Sequence, residues 1–210
     1  MYVPSSFRIE DPARLADFIR QHGFATLVTS DGAAPLASHL PLQFHAQTGA
    51  NGTLVGHMAR ANPQWKHFAS GREVLAIFQG PHAYVSPAWY ATAPAVPTWN
   101  YTAVHAYGVP SLITDHARIV GLLSEIVAAY ESTRDKPWPG DLHEEYRDKM
   151  IQGIVAFEIA LTLVEAKFKL SQNRPLADVQ GVIDALLNSN DAGSVAVARL
   201  MQEEAAARES

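Results

Sequence analysis

Between Phe24 and Gly80 four β-prone apolar runs follow one another with only turns or one short helix between them. They are FATLVTS (24–30), LASHLPLQFHA (36–46), TLVGHM (53–58) and EVLAIFQG (73–80). Runs bounded by Gly, Pro, Asn and Asp read as strands joined by short connections. Such spacing leaves little room for the crossover helices that parallel pairs need. HAYVSPAWY continues extended, ATAPAVP reads as a proline-rich loop, and PSLIT reads as a further strand. The order predicts a mainly β or α+β fold, an antiparallel barrel with helices around it rather than alternating βαβ units. Pro41 interrupts the second run and predicts an edge strand or a bulge.

Helices punctuate this pattern. EDPARLADFIRQHG carries a cap at Asp11, Pro12 at the first helical position and Gly23 as a stop. ARANPQWKHFASG predicts a short helix from Asn62 or Pro63 to Gly71. DHARIVGLLSEIVAAYE (115–131) aligns Ile119, Leu122, Leu123, Ile126 and Tyr130 on one stripe. DLHEEYRDKMI predicts a short polar helix capped by Asp141. IVAFEIALTLVEAKFKL (154–170) fits one helix or a pair of strands, and its β-branched and aromatic content favours strands. Two helices follow Pro175, separated by NSNDAG. The expected organisation is a barrel domain over 1–175 and a C-terminal helical extension over 176–210, packed on the barrel or on a dimer partner.

VPTWNYTAVHAYG (96–108) alternates as a strand with two unlike faces. Thr98, Asn100, Thr102, Val104 and Ala106 share one, while Trp99, Tyr101, Ala103, His105 and Tyr107 share the other. An aromatic face of this kind serves a core, an interface or a flat ligand.

Composition removes several chemistries. The 210 residues include no cysteine, which excludes thiol catalysis and Cys-based zinc sites. The nine histidines show no HExxH spacing and read as ordinary polar residues, with no metal site expected. GxSxG, GxGxxG and the P-loop pattern are absent, and no glycosidase-like carboxylate pair stands out. The formal net charge is −5 and no Lys/Arg cluster or helix-turn-helix pattern is present, so the charge does not support DNA binding. The first residues lack a signal-peptide pattern and no apolar run reaches the ~20 residues of a membrane helix. A cytoplasmic location without membrane contact is expected.

GHMARANPQWK (56–66) combines a strand end, Arg60 and a helix start at Asn62. A helix N-terminus and a guanidinium suit a phosphate. An ordinary cap and a surface charge fit the same residues. FKLSQNRP (168–175) gathers Lys169, Ser171, Gln172, Asn173 and Arg174, and reads as a donor-rich loop.

MYVPSSF, ASHLPL, GHMARANPQW, YVSPAWY, VPTWNYTAVHAYG and KLSQNRP, in that order, resemble the signature blocks of the PaiB-type FMN-binding negative transcriptional regulators. The blocks run from residue 1 to about 187. The resemblance implies an FMN-binding split barrel, Greek-key-like and antiparallel, as in pyridoxamine-phosphate oxidases. It implies a homodimer with the flavin at the subunit interface, and a regulatory role over protease and sporulation genes. It also implies Ser38 and His39 near the polar edge of the ring, and His57 near the phosphate or ribityl chain. Arg60 and the helix start after Asn62 would hold the phosphate. Trp99 or Tyr101 would form a flat wall, and Asn100 would bond a ring edge. Flavin oxidases of this fold commonly place two adjacent basic residues at the phosphate; here Ala61 follows Arg60 and Lys66 is the nearest substitute. Weaker FMN retention is the expected result. The alternatives are a flavin-dependent oxidoreductase acting on a small molecule, with an indirect regulatory effect, and a haem-binding split barrel.

Overall fold

The computed structural model describes residues 1–30, 32 and 34–209. Seven strands carry it: β1 (Arg8–Ile9), β2 (Phe24–Thr29), β3 (Leu36–His45), β4 (Thr53–Ala59), β5 (Val74–Val85), β6 (Thr98–Ile113) and β7 (Ile154–Lys169). Five α-helices accompany them: α1 (Pro12–Gln21), α2 (His116–Glu131), α3 (Glu144–Ile151), α4 (Leu176–Leu187) and α5 (Ala192–Glu209). The strands form one sheet in the order β1-β7-β4-β3-β2-β5-β6, and a further β6–β7 pairing links the end of that order back into it. The registers of β1–β7, β2–β3, β2–β5, β3–β4 and β4–β7 are all antiparallel. The antiparallel β architecture with flanking helices is the one expected.

Several local expectations change. The run 154–170 forms one 16-residue strand, and TWNYTAVHAYG continues through PSLI as one strand of the same length. Pro41 lies inside the sheet, not at its edge. β3 pairs with β2 over Leu36–Pro41 and with β4 over Leu42–His45. Proline therefore sits where the strand passes from one partner's ladder to the other's, and Leu42 N donates to Gly23 O at 2.9 Å. α3 begins after His143, whose side chain makes no cap bond, so Asp141 is not its cap. The turn expected in SDGAAP includes Asp31 and Ala33, which lie outside the described residues.

The chain divides into two compact units: residues 1–18, 79–105 and 165–210 form one, and residues 19–78 and 106–164 form the other. In the second unit the cross-strand register assigns two faces. Leu27, Ser38 and Ala76 share the inner face, while Thr26, His39 and Ile77 share the outer one. The inner face is closed by a 3₁₀ segment, Pro63–Ser70, whose Phe68 meets Phe157 edge-on at 5.2 Å. Gly56 belongs to this packing: a Cβ there would lie 2.7 Å from Leu42 Cδ2 and 3.0 Å from Pro41 O. The outer face of β4 and β7 is covered by α2, where Leu122, Ile119 and Ile126 pack on Val55, Ala156 and Ile113. That is the predicted apolar stripe at work.

In the first unit, α4 and α5 bury Val179, Val182, Ile183, Leu186, Val197, Ala198 and Met201. Phe18 and Phe168 pack at 5.0 Å, with the Arg14 guanidinium 4.8 Å from the Phe168 ring. Asp178, buried in the first turn of α4, accepts bonds from Thr92 N (2.9 Å) and Thr92 Oγ1 (2.7 Å). This fixes the proline-rich loop against that helix.

Candidate functional site

Five of the eight residues singled out from the sequence lie in the second unit, around the ends of β3 and β4. The β4–β7 ladder ends at Ala59↔Ile154. Arg60 continues it by other means. Its backbone N donates to Gly153 O at 2.8 Å, Nε donates to Gln152 O at 2.7 Å and Nη2 to Ile154 O at 2.7 Å. The guanidinium thus completes a strand end that would otherwise leave carbonyls unpaired. Two of its three nitrogens are committed, so it offers an anion its charge and Nη1, not the whole fork anticipated from the sequence.

Asn62 caps the 3₁₀ segment, its Oδ1 accepting from Gln64 N at 3.0 Å, while its Nδ2 donates to Ser38 Oγ at 2.8 Å. The cap consumes one of the N–H groups expected to face a phosphate. It also ties the segment to the inner face of β3. Gln64, which the sequence reading passed over, is 0% exposed. Its Nε2 donates to Leu27 O at 2.9 Å and Leu36 O at 3.0 Å, and its Oε1 is buried without a partner. The only sequence signal for it is a polar residue at a position where a short helix turns inward.

Ser38 and His39 occupy opposite faces of β3, because neighbouring strand residues alternate. Ser38 faces Asn62, whereas His39 is exposed on the outer face, with Nδ1 3.0 Å from Thr26 Oγ1 and its ring stacked 6.3 Å from that of Phe24. One ring edge cannot meet both side chains on one surface. Phe24 is 69% exposed, and Val28, Leu75 and Ile77 on this face are only half-buried. His57 lies opposite Ala156 and is half-buried on the same outer side of the sheet as Val55. Its Nδ1 is buried and has no hydrogen-bond partner. Burial lowers the His57 pKa, which keeps the imidazole neutral at pH 7 with one donor and one acceptor nitrogen.

The other three residues lie in the first unit. Trp99 is 55% exposed, with the Tyr84 ring 6.0 Å and the His82 ring 6.1 Å away. Lys169 Nζ fixes this strand end through Thr98 Oγ1 (2.5 Å) and Trp99 O (2.6 Å). Its pKa is lowered by burial, then by Lys167 and Arg174. Tyr101 is half-buried, and the Lys167 ammonium lies 5.2 Å from its ring. Asn100 is 0% exposed, its Nδ2 donating to Ser171 Oγ at 2.9 Å and Met201 Sδ at 3.3 Å. Asn100 is therefore an interior residue with no free edge for a ligand, contrary to the sequence expectation. The aromatic face of β6 looks outward and the small polar face forms the core. KLSQNR resolves likewise into structural bonds: Gln172 accepts from Leu170 N at 2.7 Å, donates to Phe168 O at 2.6 Å, and Arg174 lies 4.5 Å from the Tyr90 ring.

The sequence profile of the family described as "Putative FMN-binding domain" matches residues 1–163. This chain belongs to that family. The protease synthase and sporulation protein PAI 2 of Bacillus subtilis strain 168 is 37% identical over 204 residues, covering 97% of each chain. Among solved structures, the FAD and heme binding protein from Mycobacterium smegmatis aligns with a TM-score of 0.59 at 16% identity, over 77% of this chain and 73% of that one. The flavocytochrome Anf3 from Azotobacter vinelandii aligns with a TM-score of 0.57 at 14% identity, over 77% and 69%. These similarities give the fold, a flavin-binding split barrel. FMN is the cofactor that membership in the FMN-binding family assigns.

The second unit's residues fit such a group. A phosphorylated ring compound needs a positive charge, hydrogen-bonding groups for its chain and an apolar surface for its ring. Arg60 supplies the first, the unpartnered His57 Nδ1 the second, and the apolar face around Phe24 the third. Among the described residues no cluster of side chains is arranged to hold a metal ion.

Proposed function

We propose that this chain is an FMN-binding regulator of the PaiB type that carries its cofactor on the outer face of β2 and β3, beside His57 of β4, and works as a homodimer. The observation that carries this reading is the buried, unpartnered His57 Nδ1 on the outer side of a sheet whose neighbouring strands present uncovered apolar surface. A buried polar atom left without a partner costs about 1–3 kcal/mol, which a ligand hydroxyl or phosphate oxygen would recover. In this reading His57 bonds the ribityl chain or phosphate, Arg60 neutralises phosphate charge, and His39 faces the polar edge of the ring. Asn62 and Ser38 hold the end of β3 in place from its inner side. Trp99 or Tyr101 is proposed as a flat aromatic wall that the partner copy of the homodimer brings to the ring. FMN, when bound, supplies reversible electron or hydride transfer.

The apolar area around Phe24, Val28, Leu75 and Ile77 supports the homodimer. The name of the Bacillus relative links that protein to protease synthesis and sporulation, which is in keeping with a regulatory role over such genes here, and a cysteine-free chain suits the cytoplasm. The net charge of −5 favours a second reading in which the regulatory effect is indirect and the chain is a flavin-dependent oxidoreductase. No helix among the described residues is long and apolar enough to cross a membrane.

The test is calorimetric titration of the purified chain with FMN, with the visible spectrum recorded alongside. Saturable heat and a flavin band near 450 nm support the reading, whereas absence of both sinks it, and a Soret band would move it to haem. Reduction of the bound flavin by NAD(P)H without salt-dependent DNA retention would select the oxidoreductase form.

A further inference from the structure

Lys66, the nearest cation after Arg60 in the sequence, heads a separate cleft. This cleft, about 320 Å³, lies between the 3₁₀ segment and the end of β6, within one compact unit. Trp65, Phe68, Ala69, Pro110 and Leu112 give it apolar walls, and among the described residues Lys66 is the single charged side chain lining it. The Trp65 ring is a fixed wall, because its Nε1 donates to Arg60 O at 3.1 Å. Leu112 is 43% exposed, so the apolar lining is open to a ligand. The Lys66 ammonium lies 6.0 Å from the Trp65 ring and makes no ion pair with another described residue. The remaining polar side chain of the lining is already engaged: Ser111 Oγ donates to Glu158 Oε1 at 3.4 Å, and Glu158 Oε2 is held by Arg118 at 2.8 Å.

Apolar walls select an apolar body, and one unmatched cation at the rim selects one negative charge. A cleft of this size takes one or two fused rings. We propose that it binds a planar aromatic monocarboxylate, with the rings against Trp65, Phe68 and Leu112 and the carboxylate at Lys66. The proposal stands on this cleft alone and does not depend on where FMN binds.

The experiment titrates the full chain with 2-naphthoate and, separately, with the neutral 2-naphthalenemethanol. Saturable 1:1 binding of naphthoate is expected, about two- to fivefold tighter than the alcohol, the range of a solvent-exposed ion pair. Lys66→Gln should bring naphthoate down to the affinity of the alcohol, and Lys66→Arg should restore it. Leu112→Asp should abolish naphthoate binding. Both positions are solvent-facing, and a circular-dichroism spectrum matched to the parent chain verifies the fold of each variant. Prior saturation with FMN should leave naphthoate binding unchanged. Absence of saturation, equal affinity for acid and alcohol, or an unaffected Lys66→Gln variant would overturn the proposal. Displacement of naphthoate by FMN would overturn it too, by giving the cleft to the flavin.

Discussion

The corner where β4 runs into the 3₁₀ segment and the first half of β6 carry similar sequence, polar and aromatic residues crowded into about a dozen positions. They use it in opposite ways. At the corner the polar side chains turn back on the backbone: Arg60 completes the end of β7, Asn62 caps, and Gln64 bridges two carbonyls. His57 Nδ1 and Gln64 Oε1 are left buried with nothing to bond, and of the two only the His57 atom lies on the outer side of the sheet. In β6 the polar side chains go inward, with Asn100 and Thr102 both at 0% exposure, and the aromatic ones go out. The difference follows from local geometry. Past a ladder's end, unpaired carbonyls capture any donor within reach. Inside a ladder, alternation assigns the face and each buried polar group must then find a partner.

The largest effect should come from the corner's buried amide. Gln64→Leu removes two hydrogen bonds to Leu27 O and Leu36 O and should cost about 2–4 kcal/mol of unfolding free energy, read from the urea midpoint. A loss below about 1 kcal/mol would mean that the segment is held by its apolar contacts alone. Asn100→Leu is the matching test in β6. It should cost about 1–3 kcal/mol by stranding Ser171 Oγ, and should leave FMN affinity unchanged. A selective loss of FMN affinity in that variant would return Asn100 to the ligand.

His57→Phe should separate structure from binding. It replaces a ring with an unpartnered buried nitrogen by an apolar ring of similar size, so stability should hold or rise. FMN affinity should fall about tenfold, the equivalent of one hydrogen bond at ~1.4 kcal/mol. Equal FMN affinity in parent and variant would remove His57 from the ligand. Arg60→Lys sharpens the same point: the charge stays while the clamp on Gln152 O and Ile154 O goes. A stability loss of about 0.5–1.5 kcal/mol with nearly unchanged FMN affinity is expected, since the charge is the part assigned to the ligand.

Much of this was legible in the sequence. Asp11 and Pro12 do open α1, with Ala13 N bonded to Asp11 Oδ1 at 2.9 Å, and Asn62 and Gly71 do bound the 3₁₀ segment. These signals are local, so they need no knowledge of the rest of the chain. The opposite placement of Ser38 and His39 was equally available from period two, but placing both at one ring edge overrode it. What could not be read was register. Pro41 is tolerated inside the sheet because its strand changes partners there, and nothing near Pro41 announces that. His57 lacks a partner because Ala156, ninety-nine positions away, stands opposite. KLSQNR reads as a loop rich in donors, and the acceptors those donors meet, Phe168 O among them, are backbone atoms that no composition reveals.

Acid should discriminate more gently. Burial pushes the pKa of His57 and His22 below the ordinary imidazole value of about 6.5; His105 is lowered first by burial, then by the terminal ammonium, with Glu165 opposing. These groups resist protonation when folded but accept it readily when unfolded. Their contribution is fully present above the unfolded pKa and is lost as pH falls from about 6.5 through the lower folded values. Urea midpoints should therefore decline from pH 7.5 toward pH 5, and the slope should be shallower in His57→Phe. A midpoint that stays flat or rises over that interval would contradict the neutral, buried state of these rings.

The smallest expected effect is also the one that reads the outward face of β6. Trp99 is more than half exposed, so Trp99→Ala in dilute protein should change unfolding free energy by no more than about 0.5 kcal/mol. A large aromatic left this open contributes little to the fold of a single chain but much to whatever covers it. The informative measurement is consequently made twice, once below and once well above micromolar concentration, with and without FMN. If the variant matches its parent in every condition, the aromatic face is ordinary surface. If the deficit arises only at high concentration, Trp99 belongs to a chain–chain contact. A deficit that arises only with FMN assigns the ring to the flavin, which would answer the question that the alternation of VPTWNYTAVHAYG poses.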